Sequence, residues 1–289
     1  MSSPSQKGRS IGYRGHGGVA LNGDAWGDAG APAVVLLHGG GQTRHSWAGT
    51  GRRLAEEGWH SIALDQRGHG DSEWAPLGEY RLDDFVADLR CVARTFDRPP
   101  VVIGASLGGM VALLAEGESE ETIARGVVLV DITPRLEPEG LVRIISFMTA
   151  RPDGFASLEE AADAIARYRN QRTRPDDLSG LAKNLRRGPD GRYRWHWDPK
   201  FMSREGPPGD TYTPERMVAA ARRLTVPTLL VRGKQSDVVS REGAAEFLEA
   251  VPHARFVDVG GAGHMVAGDR NDAFTQAVVD FVREEFPQG

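Results

Sequence analysis

The sequence predicts a doubly wound α/β fold, a mostly parallel sheet with helices on both faces, carrying one inserted, mainly helical lid. Three observations support this. Short runs rich in Val, Ile and Leu recur without the period-two alternation of a sheet with one wet face, so the strands are covered on both sides. Between them lie stretches with helical spacing of apolar residues, as right-handed crossovers in a parallel sheet require. One interval, 134–223, breaks the rhythm. At 289 residues and 40% hydrophobic content, the chain can bury a full core.

Residues 1–8 are polar and read as a mobile tail, ahead of a core domain spanning 9–133 and 224–289. The first predicted strands are the apolar runs Gly18–Leu21 and Ala33–Leu37, followed by a predicted helix over Ser46–Glu57 and a strand over Ser61–Leu64. A helix over Leu82–Phe96 follows from one apolar face of Leu82, Phe85, Val86, Leu89, Val92 and Phe96, with Cys91 as a packing residue. The runs Val101–Ile103 and Val127–Val130 are predicted strands on either side of a helical run, Leu107–Glu116. The lid, 134–223, lacks a buried-strand signal. It has helix-like runs at Leu158–Arg169 and Pro214–Arg223 and an aromatic cluster from Tyr193 to Trp197. Predicted strands at Thr228–Val231 and Arg255–Val259, with helices at Arg241–Ala250 and Asn271–Glu285, complete the core.

Charge and cysteine content narrow the function classes. A net charge of -5, from 35 basic and 40 acidic residues, supplies no basic field for nucleic acid, and the apolar runs are too short to span a bilayer. With Cys91 as the only cysteine there is no internal disulfide, and the first ten residues lack the apolar core of a secretory signal. The expectation is a cytoplasmic protein, monomeric or homodimeric, acting on a small molecule without a metal or other cofactor, since no spacing of residues argues for a metal site.

The stretch Gly104-Ala105-Ser106-Leu107-Gly108 places a serine at the hinge from an apolar run into a helical run. This is the pattern of a nucleophile elbow, in which a strained turn lifts one hydroxyl above the sheet edge and small residues two before and two after let the backbones approach. Gly8-Arg9-Ser10-Ile11-Gly12 matches the same pattern, but no apolar strand precedes Ser10 and no helix follows, so context selects Ser106.

Four motifs in order then resemble the α/β-hydrolase family over residues 11 to 286: His38-Gly39-Gly40-Gly41 after a predicted strand, the loop Asp65 to Ser72, the elbow, and the pair Leu230 to Asp237 with Gly260-Gly261-Ala262-Gly263-His264. The resemblance implies Ser106 as nucleophile, His264 as base and Asp237 as the acid that orients it. Asp131, directly after a predicted strand, is the second candidate for the acid, and Asp258 a third. Ser240 departs from the proline often found just past the acid. The oxyanion donors implied are the Gly40 and Leu107 amides, with Gly41 left open as an alternative to Gly40.

His38 and His69 read as residues that orient loops by hydrogen bonds, and His16, His45, His60 and His253 as surface or loop residues. His196 could line the pocket or pack in an aromatic lid core. Trp195, Trp197 and Phe147, with Met148, Phe155, Phe201 and Met202, suggest an apolar pocket ceiling, or equally the lid's own core. Relatives that form alkyl-enzyme esters carry aspartate at the elbow, so Ser106 implies acyl chemistry. The expected function is a serine hydrolase acting on a carboxylic ester or lactone. A carbon–carbon bond hydrolase or a cofactor-free perhydrolase (haloperoxidase) would use the same residues, and a non-catalytic ligand receptor is the alternative of another class.

Overall fold

The apolar runs at the centre of the sequence form the middle of one eight-stranded sheet. The structure, a computed structural model, describes residues 8–169, 178–202, 212–264 and 271–287. The strands are β1 (Arg9–Arg14), β2 (Ala20–Trp26), β3 (Ala33–Leu37), β4 (His60–Leu64), β5 (Val101–Ala105), β6 (Gly126–Val130), β9 (Thr228–Gly233) and β10 (Arg255–Val259), in the order β1-β2-β4-β3-β5-β6-β9-β10. β1 and β2 pair antiparallel, β2 pairs antiparallel with β4, and every later pairing is parallel.

Two-sided burial explains the lack of alternation in the central runs. Val35, Leu37, Val102, Val127, Leu129 and Leu230 point into one apolar layer, while Val34, Leu36, Val101, Ile103, Val128, Val130, Leu229 and Val231 point into the other. The first layer is closed by α2 (Leu82–Ala93), α3 (Leu107–Gly117) and α8 (Arg241–Ala250), and the second by α1 (Ala48–Glu56) and α9 (Thr275–Glu285).

Between β6 and β9 the chain leaves the sheet and forms α4 (Pro138–Thr149), α5 (Leu158–Tyr168), α6 (Ser179–Ala182), the antiparallel pair β7 (Leu185–Arg187) and β8 (Tyr193–Trp195), and α7 (Pro214–Arg222). Met148, Phe155, Ile165, Leu181, Leu185, Trp195 and Trp197 build a separate apolar cluster there. Helix α7 does not join it: Met217, Ala220 and Ala221 pack into the main core, so the cluster ends before the predicted boundary at 223.

Several expectations need correction. The segment after Gly8 is strand β1, in which Ser10 faces Asp24, and only residues 1–7 of the predicted tail lie outside the described residues. The run read as a strand at Gly18–Leu21 is shifted, because Gly18 belongs to a turn and the strand continues to Trp26. Helix α4 and the β7–β8 pair went unread, so the aromatic cluster at 193–197 is largely strand and the excursion is not wholly helical. His60 opens β4 and is buried, not a surface residue.

Candidate active site

Ser106 sits where β5 passes into α3, with φ 48° and ψ −114°, a region rare for residues other than glycine. The flanking glycines are needed sterically. A Cβ on Gly104 would lie 2.1 Å from Gly108 O, and one on Gly108 would lie 2.5 Å from Leu37 O. The Ser106 N–H donates to Val130 O at 3.0 Å, which fixes the serine beside the end of β6.

The residue that follows β6 is Asp131, and it holds the histidine: His264 Nδ1–H donates to Asp131 Oδ2 at 2.7 Å, with each side chain only 4% exposed. A carboxylate can only accept here, so Nδ1 carries a proton. Asp131 also accepts the Gly233 N–H at 3.0 Å and the Ser236 hydroxyl at 2.7 Å. Ser236 is in turn fixed by the Val238 and Val239 amides at 3.2 and 3.1 Å. These bonds hold Asp131 at φ 52°, a left-handed conformation that aspartate tolerates better than most residues.

The expectation that Asp237 orients His264 is therefore corrected. Asp237 ion-pairs with Arg143 of α4 at 3.0 Å, and its backbone oxygen seats Gly140, where a Cβ would meet it at 2.1 Å. Asp258 pairs with Arg232 at 2.9 Å. Ser236 was missed by sequence reasoning although it adjoins Asp237 in the same motif.

The glycine loop after β3 is held by side chains. The Gly39 N–H donates to Gln42 Oε1 at 3.0 Å and the Gly41 N–H to His69 Nε2 at 3.1 Å, while the Gly40 N–H has no partner among the described residues. The Leu107 N–H opens α3, where the first turn leaves amides without intrahelical acceptors. Of the two glycines left open by the sequence, Gly40 is thus the one with an amide to give. His38 donates from Nδ1 to Gly39 O at 2.8 Å and accepts the Gln66 N–H at 3.0 Å, so it does orient a loop, as expected. Burial pushes its imidazole down to about 4 and that of His69 to about 3, so both rings are neutral near pH 7. Gln42 also reaches Asn271 at 3.3 Å, a buried link that sequence reasoning missed.

Residues of the segment between β6 and β9 approach this loop unequally. A Cβ on Gly41, whose φ is 79°, would meet Met148 Cε at 2.8 Å and Trp197 Cζ3 at 3.1 Å, and one on Gly40 would lie 3.5 Å from Phe201. Trp195 stacks on Trp197 with ring centroids 5.2 Å apart, one layer further out. Phe147, expected in the pocket ceiling, contacts Tyr168 and Trp195 and lines a cleft of about 440 Å³ with Arg143 and Arg151, a cleft whose lining includes neither Ser106, His264 nor the glycine loop. Burial, with the Arg186 charge adding to it, pushes the His196 imidazole down. Among the described residues, no cluster of three or more His, Cys, Asp or Glu side chains could hold a metal ion, and no helix is long and apolar enough to cross a membrane.

The strand order of the sheet and the helices on both of its faces define a fold class, and similarity to known proteins places the chain in it. The sequence model of the alpha/beta hydrolase family matches residues 34–277, and the chain belongs to that family. It is similar to esterase Rv0045c of Mycobacterium tuberculosis, 29% identical over 272 residues covering 90% of this chain and 85% of that one. It is also similar to a 3-hydroxybutyrate-oligomer hydrolase of Cupriavidus necator, 28% identical over 258 residues covering 83% and 85%. The crystal structure of the Mycobacterium tuberculosis esterase superposes with a TM-score of 0.69 at 28% identity, over 96% of this chain and 90% of that one.

Proposed function

We propose that this alpha/beta hydrolase is a serine hydrolase that cleaves a carboxylic ester or lactone of a small, largely apolar substrate through an acyl-enzyme. The observation that carries the reading is the 2.7 Å bond from His264 to Asp131, the residue after Val130, whose carbonyl accepts the N–H of the strained Ser106. In the proposed cycle Ser106 Oγ attacks the substrate carbonyl carbon as His264 Nε2 takes its proton. The oxyanion that forms accepts hydrogen bonds from the Gly40 and Leu107 amides. Asp131 keeps the proton on Nδ1 and stabilises the imidazolium. His264 then protonates the leaving alkoxide, and a water deprotonated by His264 attacks the acyl-enzyme and frees the acid. Each oxyanion donor is worth about 10²–10³ in rate in enzymes of this chemistry. The segment between β6 and β9 is read as a cap over the site.

A fluorophosphonate probe tests the nucleophile. It should label the wild-type chain and not Ser106→Ala. Turnover of short aryl esters or of a lactone is expected. Turnover confined to a diketone would move the assignment to carbon–carbon hydrolysis, and absence of both labelling and turnover would leave a ligand receptor.

The ceiling gives a second test. Trp197 touches the oxyanion loop and Trp195 only backs it, so Trp197→Ala should reorder a series of aryl esters by acyl length, with about 10- to 200-fold loss where the indole is a wall contact and little change on the acetate. Trp195→Ala should reorder the series less. Equal losses on every ester with an unchanged melting temperature would remove Trp197 from the pocket.

A further inference from the structure

We infer that His69 is a positioning residue of the oxyanion loop, its Nε2 holding the Gly41 amide so that Gly40 alone among the three glycines presents its N–H to the substrate. This rests on the serine hydrolase reading above and extends it to a residue outside the Ser106, Asp131 and His264 set.

Three neighbouring amides could compete for one oxyanion, and two of them are already committed. Gln42 Oε1 takes the Gly39 N–H at 3.0 Å and His69 Nε2 takes the Gly41 N–H at 3.1 Å. The Gly39 carbonyl, on the same peptide plane as the Gly40 N–H, accepts from His38 Nδ1 at 2.8 Å and from the Gln42 amide at 3.1 Å. A trans peptide points its carbonyl and N–H in opposite directions, so holding that carbonyl aims the Gly40 amide the other way. His69 fixes the next plane. With both planes around Gly40 set, a run of three glycines that would otherwise have wide freedom is left with one orientation.

The ring of His69 is built for acceptance. Its Nδ1 lies 2.9 Å from Arg67 O, and a carbonyl cannot donate, so Nδ1 carries the proton and Nε2 is the acceptor. Protonation would turn Nε2 into a donor facing another donor, and complete burial beside His38 keeps the ring neutral. Phe201 meets the ring edge-on at 4.6 Å. The backbone on each side is pinned by the excursion, with the Gly70 N–H donating to His196 O at 2.7 Å and the Asp198 N–H to Gly68 O at 2.8 Å.

The test compares His69→Leu, which removes the acceptor, with His69→Gln, whose side-chain oxygen can replace Nε2. In His69→Leu, kcat on a short aryl ester should fall by roughly 10- to 100-fold with KM within about threefold, and affinity for an arylboronic acid, which forms a tetrahedral adduct on the serine, should fall in parallel. His69→Gln should recover most of both. Hydrogen exchange at the Gly41 amide, slow in the wild type and in His69→Gln, should be fast in His69→Leu.

Unchanged kcat and boronate affinity in His69→Leu would overturn the inference. So would equal losses in both variants that track a fall in melting temperature, since that is the mark of packing alone. A wild-type chain that neither binds the boronate nor turns over ester would instead overturn the hydrolase reading on which the inference stands.

Discussion

Ser106→Ala should reduce turnover of a short aryl ester by up to about a millionfold, the scale known for removal of a triad nucleophile. The change deletes one oxygen that makes no hydrogen bond among the described residues, and alanine keeps the Cβ, so the elbow and its glycine packing persist. The melting temperature should stay within a few degrees of wild type, which separates lost chemistry from lost fold. Residual activity within tenfold would sink the serine mechanism. Ser10→Ala, on the exposed strand β1, should change neither quantity.

Asp131→Asn should cost roughly ten-thousandfold in kcat. The asparagine can still accept the Gly233 N–H through its oxygen, but its NH2 group then faces His264 Nδ1. The ring must accept there and carry its proton on Nε2, the wrong tautomer to receive a proton from Ser106. Asp237→Asn should leave kcat within about fivefold, because Asp237 contacts Arg143 and not the histidine. Measured side by side, a large loss in Asp237→Asn and a small one in Asp131→Asn would reinstate Asp237 as the acid.

What could be read from the sequence follows from physics of short range. β3, β5 and β6 were legible because burial on both faces makes each run apolar throughout, and β9 because of its apolar centre, Leu229–Val231. The elbow was legible because its steric demand falls on residues two positions away. β1 was not, since Arg9–Arg14 is an edge strand with an exposed, polar face and three glycines in or beside it, Gly8, Gly12 and Gly15. Helix α4 escaped notice because Val142 and Ile145 are exposed on it, which blurs the helical face. The acid is the instructive case. Asp131 and Asp237 both follow a strand at the carboxyl edge, and which one reaches His264 depends on a left-handed turn at 131 and on Ser236, neither of which a residue pattern prints.

The three residues assigned to the chemistry differ in how they are held. Ser106 and Asp131 leave adjacent central strands tied by the Ser106 amide to Val130 O. His264 arrives from edge strand β10 through Gly260 and Gly261, around which a Cβ would touch nothing within 4 Å. Local opening costs least where packing is sparse. On warming, the histidine should therefore swing off its aspartate while the sheet is still whole, and catalysis should fade, reversibly, below the melting temperature. Heat tolerance of the activity is then a property of this one loop, and thickening the core would leave it where it is.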